Sequence, residues 1–297
     1  MDLSGCGTAL VTPFAADGSV DESALVRLVN WQIESDINFI VACGTTGEAS
    51  TMSEAENQRV IETVVSTAAG RVPIIAGCSH NATAQAVANA KKMAKLSGIS
   101  GLLTANPYYN RPGQEGQYLH FRAVAEATEL PVLLYNIPSR TGTNLEPATV
   151  LRLAELPNVL GVKESSGNMG QITEILNHAP ASFKVFSGDD GLTLPMMALG
   201  AVGVVSVASN AIPAQMAQMV QAALVGDWTT ARAINRKFYG LMQAHFCEPS
   251  PAPIKAVLAL LGHGEDHLRL PMIPVTTATR QRLEKLLGEL GLLANAR

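Results

Sequence analysis

Lys163 is the residue in this chain whose type and setting most favour covalent chemistry. It closes a short apolar run at residues 159–163, a pattern typical of a buried strand. An ammonium group with little water around it has a lowered pKa, and a neutral amine attacks carbonyl carbons. The alternative is an exposed lysine at a strand end that pairs with Glu164. Successive strand side chains point to opposite faces, which disfavours that pair and favours a nucleophilic amine.

The same alternation predicts which neighbours lie on the face that carries the amine. If Lys163 points inward, Gly161 and Val159 do so too, and Gly161 leaves space beneath the amine. The outward face then carries Leu160, Val162 and Glu164. Tyr135 ends the preceding apolar run in a corresponding position. We therefore expect the Tyr135 hydroxyl to lie near the Lys163 amine.

A second candidate for binding chemistry is the loop 44–48, with the sequence Gly-Thr-Thr-Gly-Glu, which directly follows another apolar run. Its backbone and the hydroxyls of Thr45 and Thr46 offer N–H and O–H donors to an anion. An ordinary turn between a strand and a helix, ending in a helix cap, fits the same residues. The loop is not a phosphate-binding P-loop, because no lysine followed by Ser or Thr stands at the required spacing.

Three further segments follow apolar runs and carry polar groups, and each also has a structural interpretation. The pair Tyr108 and Tyr109 fits either a proton relay or packing in an interface. Arg140, in the loop 139–142, fits either a bidentate partner for a carboxylate or a solvated loop residue. Gly188 begins a Gly-Asp-Asp segment at the end of another run. Together with Lys163 and the loop 44–48, these segments place hydroxyls, glycines and one amine at strand ends.

The elements that would position these residues are eight short apolar runs separated by amphipathic stretches. The runs lie at residues 7–11, 39–43, 73–78, 101–105, 132–135, 159–163, 184–187 and 202–207. Strands that are apolar on both faces and alternate with helices indicate a parallel sheet. Eight such units predict an α/β fold, a (β/α)8 TIM barrel, whose active site lies at the carboxyl ends of the strands. An open doubly wound sheet is the alternative, and the count of eight disfavours it.

The pattern changes near residue 226. Residues 228–244, 253–261 and 277–290 have helical character, and no strand pattern remains. We therefore expect a barrel over residues 1–225 and a C-terminal helical region over residues 226–297 that packs on the barrel. Ser53 with Glu56 three residues later also predicts a capping box at one helix start.

Composition limits the class of protein. Of 297 residues, 47% are hydrophobic and 15% charged, with a net charge of −4, which argues against a nucleic-acid partner. The low charged fraction hints at an oligomer. Four dispersed cysteines and six dispersed histidines favour reduced core thiols and no metal site. We expect neither a signal peptide nor a membrane span, and therefore a cytoplasmic protein.

Taken together, these motifs resemble the dihydrodipicolinate synthase family of the pyruvate-dependent class I aldolase superfamily. The resemblance rests on residues 44–48, 107–110, 135–142 and 161–164, in that order, with support from residues 8–14 and 187–190. It covers nearly the whole chain. It implies condensation of pyruvate with L-aspartate 4-semialdehyde in diaminopimelate and lysine biosynthesis, without a cofactor. It also implies a homotetramer built from two tight dimers.

The resemblance assigns a role to each matching residue. Lys163 would form a Schiff base with pyruvate, beside Tyr135 as the acid or base. Thr45 and Tyr109 would complete a hydroxyl relay, with Tyr109 supplied by a neighbouring subunit. Thr46 would hold the pyruvate carboxylate, Arg140 would bind the semialdehyde carboxylate, and Val205 would present its carbonyl group. Gly188 is placed with these substrate-binding residues.

In some family members lysine inhibits the enzyme at the dimer interface. The corresponding positions here are Ala49, Ser50, Glu54, Asn57, Asn81, Gln85 and Tyr108. Inhibited bacterial members often carry a glutamate where Gln85 stands. An ammonium ligand favours a carboxylate, and Gln85 offers only a neutral acceptor, although Glu54 could compensate. We expect weak or absent inhibition by lysine.

Two other functions stay open from the residues alone. N-acetylneuraminate lyase and the 2-keto-3-deoxy sugar acid aldolases use the same Schiff base with a different second substrate. A non-catalytic sensor of small acids on an inactivated barrel is the alternative from another class. The presence of the lysine, threonines and tyrosines disfavours a sensor, and Arg140 favours the synthase over the sugar-acid aldolases.

Overall fold

The computed structural model describes residues 3–293 and shows a closed barrel of eight parallel strands. Each strand pairs with the next along the chain, and β8 closes on β1. The strands are β1 Gly5–Ala9, β2 Phe39–Ala42, β3 Ile74–Gly77, β4 Gly101–Ala105, β5 Val132–Asn136, β6 Val159–Glu164, β7 Lys184–Ser187 and β8 Gly203–Ser206. The predicted (β/α)8 barrel is confirmed, and each of the eight apolar runs overlaps a strand.

Helices connect the strands and surround the barrel. They are α1 Glu22–Glu34, α2 Glu54–Ala68, α3 Thr83–Met93, α4 Gln114–Ala125, α5 Pro138–Thr141, α6 Pro147–Leu153, α7 Met169–His178, α8 Thr193–Ala198 and α9 Pro213–Leu224. The predicted capping box is present at the start of α2, where Ser53 and Glu56 exchange hydrogen bonds. A carboxylate and a hydroxyl therefore satisfy amide groups that the first turn of a helix leaves free.

Two separate apolar clusters hold the barrel together. The inner cluster fills the barrel with strand residues that include Phe39, Leu133, Phe186 and Val205, and the Phe39 and Phe186 rings meet edge to face at 5.5 Å. The outer cluster lies between the strands and the helices. Gly7 permits this packing, because a Cβ at that position would overlap the Phe39 ring. The interior is thus a packed core, and chemistry is confined to the strand ends.

Two details of the strand predictions are wrong. The first strand covers Gly5–Ala9 instead of residues 7–11, because the Val11 amide bonds to the Asn210 side chain and leaves the sheet. In β6, Val159 packs in the outer cluster and Leu160 against the inner one, the reverse of the prediction. The register between β5 and β6 shifts at Val132 and Leu133, and such a bulge inverts the alternation on one side of it.

Three helices follow the barrel: α10 Trp228–Ala244, α11 Ala252–Leu260 and α12 Thr277–Glu289. Within residues 226–293 the structure shows no strand, as predicted. The helix α10 packs on α9, and α11 packs on α12. The division at residue 225 stays a prediction. Among residues 3–293, no helix has the length and apolar character that a membrane span requires, and no three His, Cys, Asp or Glu residues cluster as metal ligands do.

Candidate active site

Lys163 and Tyr135 lie side by side at the carboxyl ends of β6 and β5. Their Cα atoms are register partners, which confirms that the two residues are neighbours across the strands. Both side chains are 5% exposed, so the amine is held in a largely dry environment. The Lys163 Nζ lies 4.1 Å from the centroid of the Tyr135 ring. The aromatic face thus contacts the ammonium form directly, an interaction that strengthens when water is excluded.

The carboxylate of Glu164 is directed away from this site, as strand alternation requires. It accepts hydrogen bonds from the Asn136 amide at 3.0 and 3.2 Å and from the Ser166 backbone amide at 3.1 Å. Burial raises the pKa of Glu164, and these donors partly oppose the shift. The alternative of an exposed Lys163–Glu164 pair is therefore wrong, because both groups are buried and Glu164 is engaged on the other face.

Glycines around Lys163 serve close packing. A Cβ at Gly188 would lie 3.0 Å from Lys163 Cε and would overlap the Ser165 hydroxyl. Gly188 therefore forms one wall beside the lysine side chain. At Gly161 a Cβ would overlap the backbone of Lys184 on β7. The close approach of β6 and β7 therefore requires a glycine at this position, and the expectation that Gly161 leaves space beneath the amine does not explain it.

The Gly-Thr-Thr-Gly-Glu turn leaves β2 with a tightly bonded backbone. The Gly47 amide donates to the Gly44 carbonyl and the Glu48 amide to the Thr45 carbonyl, each at 3.1 Å. The Thr12 hydroxyl donates to the Gly47 carbonyl at 2.7 Å. Thr46 is buried and Thr45 is exposed on the rim. Glu48 has φ +54°, a left-handed conformation that costs a non-glycine residue about 1–2 kcal/mol.

Two cavities open at this end of the barrel. The first has about 650 Å³ and is lined by Thr45, Tyr135, Tyr108 and Arg140 among others. The second, of about 560 Å³, is lined by Ser165, Gly188, Asp189, the segment 246–250 and again Arg140. Arg140 therefore lies between the two cavities. Its guanidinium donates to the Ser250 carbonyl at 3.1 Å, which connects the rim to the C-terminal region.

Tyr109 is not brought to Lys163 within one chain. Its side chain is 89% exposed, and its backbone has φ +73°, a rare conformation for an aromatic residue. The surroundings fix this conformation in part, since the Tyr109 amide donates to the Thr141 carbonyl at 3.4 Å. Such strain clusters at functional positions. The ring projects from the chain that carries it, so its role in a neighbouring subunit stays a prediction.

Asp190 is a functional candidate that the sequence indicated only as part of a motif. Its carboxylate is buried and accepts hydrogen bonds from the backbone amides of Val207 and Ala208, at 3.2 and 2.9 Å. Burial raises its pKa to about 6. These bonds fix the chain as it leaves β8, two residues after Val205, which lies in the inner cluster. The role of the Val205 carbonyl stays a prediction.

Most of the predicted regulatory residues line the first cavity, next to the catalytic candidates. Ser50, Glu54, Gln85 and Tyr108 do so, and Asn81 lies beside the lining residue His80. The Gln85 amide donates to Glu54 at 3.3 Å, and the Lys92 ammonium lies 3.9 Å from the same carboxylate. Glu54 is therefore already in contact with a cation from this chain.

Comparison with known proteins agrees with this geometry. The sequence profile of the "Dihydrodipicolinate synthetase family" matches residues 2–290. The 4-hydroxy-tetrahydrodipicolinate synthase of Acidobacterium capsulatum is 60% identical over 294 residues, 99% of this chain and 97% of that protein. The synthase of Koribacter versatilis is 55% identical over 296 residues, 100% of this chain and 99% of that protein.

Solved structures give the same assignment. The dihydrodipicolinate synthase of Aquifex aeolicus is 41% identical, with a TM-score of 0.95 over 99% of this chain and 100% of that one. The chloride-inhibited enzyme of Acinetobacter baumannii, solved in complex with pyruvate, is 40% identical, with a TM-score of 0.96 over 98% of this chain and 100% of that one. The resemblance seen in the sequence motifs is thus confirmed, and the chain belongs to the dihydrodipicolinate synthetase family.

Proposed function

We propose that this chain condenses pyruvate with L-aspartate 4-semialdehyde to form 4-hydroxy-tetrahydrodipicolinate, in the biosynthesis of diaminopimelate and lysine. The observation that carries the proposal is the buried Lys163 amine over the Tyr135 ring, at the carboxyl ends of the barrel strands. The names of the relatives, 60% and 55% identical, support the same reaction. The enzyme is accordingly a lyase of the class I aldolase type.

The reaction begins when the Lys163 amine attacks the keto carbon of pyruvate and the keto oxygen leaves as water, giving an imine. Loss of a methyl proton converts the imine to an enamine. The enamine carbon bonds to the aldehyde carbon of the semialdehyde, whose oxygen takes up a proton and becomes a hydroxyl group. The amino group of the semialdehyde then attacks the imine carbon, closes the ring and releases the Lys163 amine.

The surrounding residues would bind the substrates and transfer protons. Tyr135 serves as the acid or base beside the imine, and Thr45 and Tyr109 extend the relay. Thr46 binds the pyruvate carboxylate, while Val205 contributes its carbonyl group and Gly188 the wall beside Lys163. Positioned acid and base groups of this kind contribute about 10²–10⁴-fold to the rate. The burial of Lys163 and Tyr135 supports this assignment.

The test of this function is a coupled assay with pyruvate and L-aspartate 4-semialdehyde, together with borohydride reduction in the presence of pyruvate. We expect product to form and one pyruvate to be retained per chain. An adduct without product would favour one of the sugar-acid aldolases as the second candidate. Absence of any adduct would favour the small-acid sensor.

Arg140 separates the synthase from the sugar-acid aldolases. We expect Arg140→Ala to lower kcat/KM for the semialdehyde by about 10–100-fold, since a hydrogen-bonded carboxylate partner contributes about 1.5–3 kcal/mol. The KM for pyruvate should stay close to the parent value. Steady-state kinetics with each substrate varied in turn will measure both effects. Unchanged turnover of the semialdehyde in Arg140→Ala would show that the second substrate is misassigned.

Lysine should inhibit this enzyme weakly or not at all. Gln85 carries no charge, and Glu54 already contacts Lys92 and Gln85, so little negative charge remains for a ligand ammonium. A titration of activity with lysine will measure the effect, and Gln85→Glu provides a variant that should gain sensitivity. Half-inhibition of the parent chain at tens of micromolar lysine would contradict the prediction.

The family resemblance and the exposure of Tyr109 support a proposal about the assembly. We infer a homotetramer made of two tight dimers, in which each chain places Tyr109 in the site of its partner. The 89% exposure and left-handed backbone of Tyr109 support such a contact. One similar structure, 38% identical with a TM-score of 0.96, is described as a monomeric synthase variant, so assembly varies among relatives. We also place the enzyme in the cytoplasm.

A further inference from the structure

A buried ion pair joins the threonine turn to the C-terminal region. The Lys255 ammonium, on α11, pairs with the Glu48 carboxylate, and the two side chains are 1% and 2% exposed. Glu48 is the last residue of the turn that carries Thr45 and Thr46. The pair therefore connects positions about 200 residues apart in sequence, and one of them belongs to the candidate active site.

The pair is part of a larger cluster that encloses the end of the turn. Lys255 also donates to the His267 carbonyl at 2.8 Å, and its ammonium lies 4.2 Å from the centroid of the Phe14 ring. The Arg269 guanidinium carbon lies 4.5 Å from the centroid of the same ring. The Arg269 backbone amide donates a hydrogen bond to the Glu48 carboxylate at 3.4 Å. The Lys255 ammonium and the Arg269 backbone amide, both from the C-terminal region, thus hold one carboxylate.

Arg269 further connects the segment that follows the turn. Its guanidinium donates to the Thr51 carbonyl at 3.1 Å and to the Gly18 carbonyl at 2.8 Å, and it pairs with Glu56 at the start of α2. These contacts fix both the end of the turn and the first residues after it. The turn is therefore bonded at its Glu48 end to residues 255–269.

This arrangement is costly if stability is its only purpose. Replacing a buried ion pair with apolar residues of similar size is often neutral or stabilising, because both charges lose their hydration. Glu48 adds a left-handed backbone, which a glycine would adopt without strain. Two unfavourable features therefore coincide at one residue beside the catalytic candidates, and such local strain is characteristic of functional sites.

We propose that Glu48, Lys255 and Arg269 are positioning residues, which hold the Thr45–Thr46 turn in the geometry needed for turnover. They do not touch the reacting atoms and act through the turn. The inference rests on the proposed function, because it takes Thr45 and Thr46 as relay and carboxylate-binding residues. On this proposal, the C-terminal helical region contributes to the geometry of the active site.

The test compares Glu48→Gln, Lys255→Met and the double variant E48Q/K255M. Borohydride reduction under saturating pyruvate gives the fraction of chains with a competent Lys163, and turnover is then expressed per competent chain. For each single variant we expect turnover per competent chain to fall about 100-fold, because a displacement near 1 Å produces losses of that size. The KM for pyruvate should rise, whereas the KM for the semialdehyde should change little.

The double variant separates positioning from stability. It leaves no unpaired buried charge, so its melting temperature should recover relative to the single variants. Its turnover per competent chain should remain low, because the ion pair that attaches the turn to α11 is lost. Recovery of both stability and turnover in E48Q/K255M would overturn the proposal, since the pair would then serve the fold alone.

Arg269→Lys decides the question if the buried variants do not fold. The Arg269 side chain is partly exposed, so the change should be tolerated by the fold. The introduced lysine keeps the positive charge but cannot reach the Gly18 and Thr51 carbonyls together. We therefore expect turnover per competent chain to fall about tenfold. Arg280→Met, which breaks the pair with Asp266 in the same region, is the matched control and should retain parental turnover. Parental turnover in Arg269→Lys, or an equal loss in Arg280→Met, would overturn the proposal.

Failure of this inference is distinguishable from failure of the proposed function. If the function is misassigned, the parent chain itself makes no product from pyruvate and the semialdehyde. If only the positioning role is wrong, the parent chain is active and the variants turn over at the parental rate per competent chain.

Discussion

Replacing Lys163 with alanine should abolish the pyruvate adduct and lower turnover by at least about 10⁴-fold. In the proposed mechanism this amine supplies the covalent bond through which the methyl carbon of pyruvate becomes nucleophilic, and alanine provides no nucleophile at that position. The variant should fold, because alanine removes a buried ammonium and leaves the inner cluster below it intact. Intact-mass measurement after borohydride reduction and the coupled assay will give the two readouts.

The matched control is Lys91→Ala, which removes an exposed lysine from α3. This variant should keep both the adduct and the parental rate. If Lys163→Ala retained a reduced pyruvate, the adduct would form at another amine, and the assignment of the reacting group would be wrong. Circular dichroism and thermal melting of Lys163→Ala distinguish loss of chemistry from loss of fold.

Replacing Tyr135 with phenylalanine should lower kcat by about 10²–10⁴-fold, the usual contribution of a positioned acid or base. The ring that lies 4.1 Å from Lys163 Nζ remains, so burial and packing of the amine are preserved and only the hydroxyl is lost. The adduct with pyruvate should therefore still form at Lys163, but more slowly. Rapid-quench reduction with borohydride will measure adduct formation separately from steady-state turnover.

Tyr118→Phe is the control for this change. The Tyr118 ring lies under Arg152, at 3.9 Å, on the outer helices, and loss of its hydroxyl should leave kcat unchanged. A Tyr135→Phe variant with a rate close to that of the parent would show that another group transfers the proton. Loss of the adduct altogether in Tyr135→Phe would instead indicate that the hydroxyl is needed to orient or expose the amine.

The two replacements test different parts of one arrangement. In the proposed mechanism Lys163 supplies the bond and Tyr135 the proton, so Tyr135→Phe should separate adduct formation from product formation, whereas Lys163→Ala should remove both. Neither replacement depends on the oligomer, because both side chains come from the same barrel. The effect of replacing Tyr109 should depend on the proposed assembly, since that side chain is 89% exposed on its own chain.

Most of the barrel could be predicted from local patterns of apolar residues in the sequence. Short runs that are apolar on both faces identify buried parallel strands, and their count predicted closure, because eight βα units suffice for a (β/α)8 barrel. The pairing of Tyr135 with Lys163 followed from the same rule, since both residues end their runs and neighbouring strands end at the same edge. The motif order was sufficient for the family, which the comparisons confirm.

The register between strands was decided by tertiary structure. The register shift at Val132 and Leu133 exchanges the faces on which Val159 and Leu160 lie. A bulge depends on how β5 and β6 fit together, so it leaves no periodic signal in the local sequence. Gly161 is required by the backbone of Lys184 on the next strand, a contact that residues 159–164 alone do not reveal.

The charged cluster around Glu48 shows most clearly that local sequence does not reveal contacts between distant segments. In sequence, Lys255 is the one charged residue within the apolar helix α11, and its local sequence does not identify a partner for its charge. Only the closed barrel and its helices bring it to Glu48, because the partners are separated by about 200 residues and meet through packing. Residue type and strand alternation thus determined the buried lysine proposed to react, its tyrosine neighbour and the barrel. Contacts between distant segments decided the buried Lys255–Glu48 pair and the exposure of Tyr109. Both depend on which parts of the chain pack together in the folded protein.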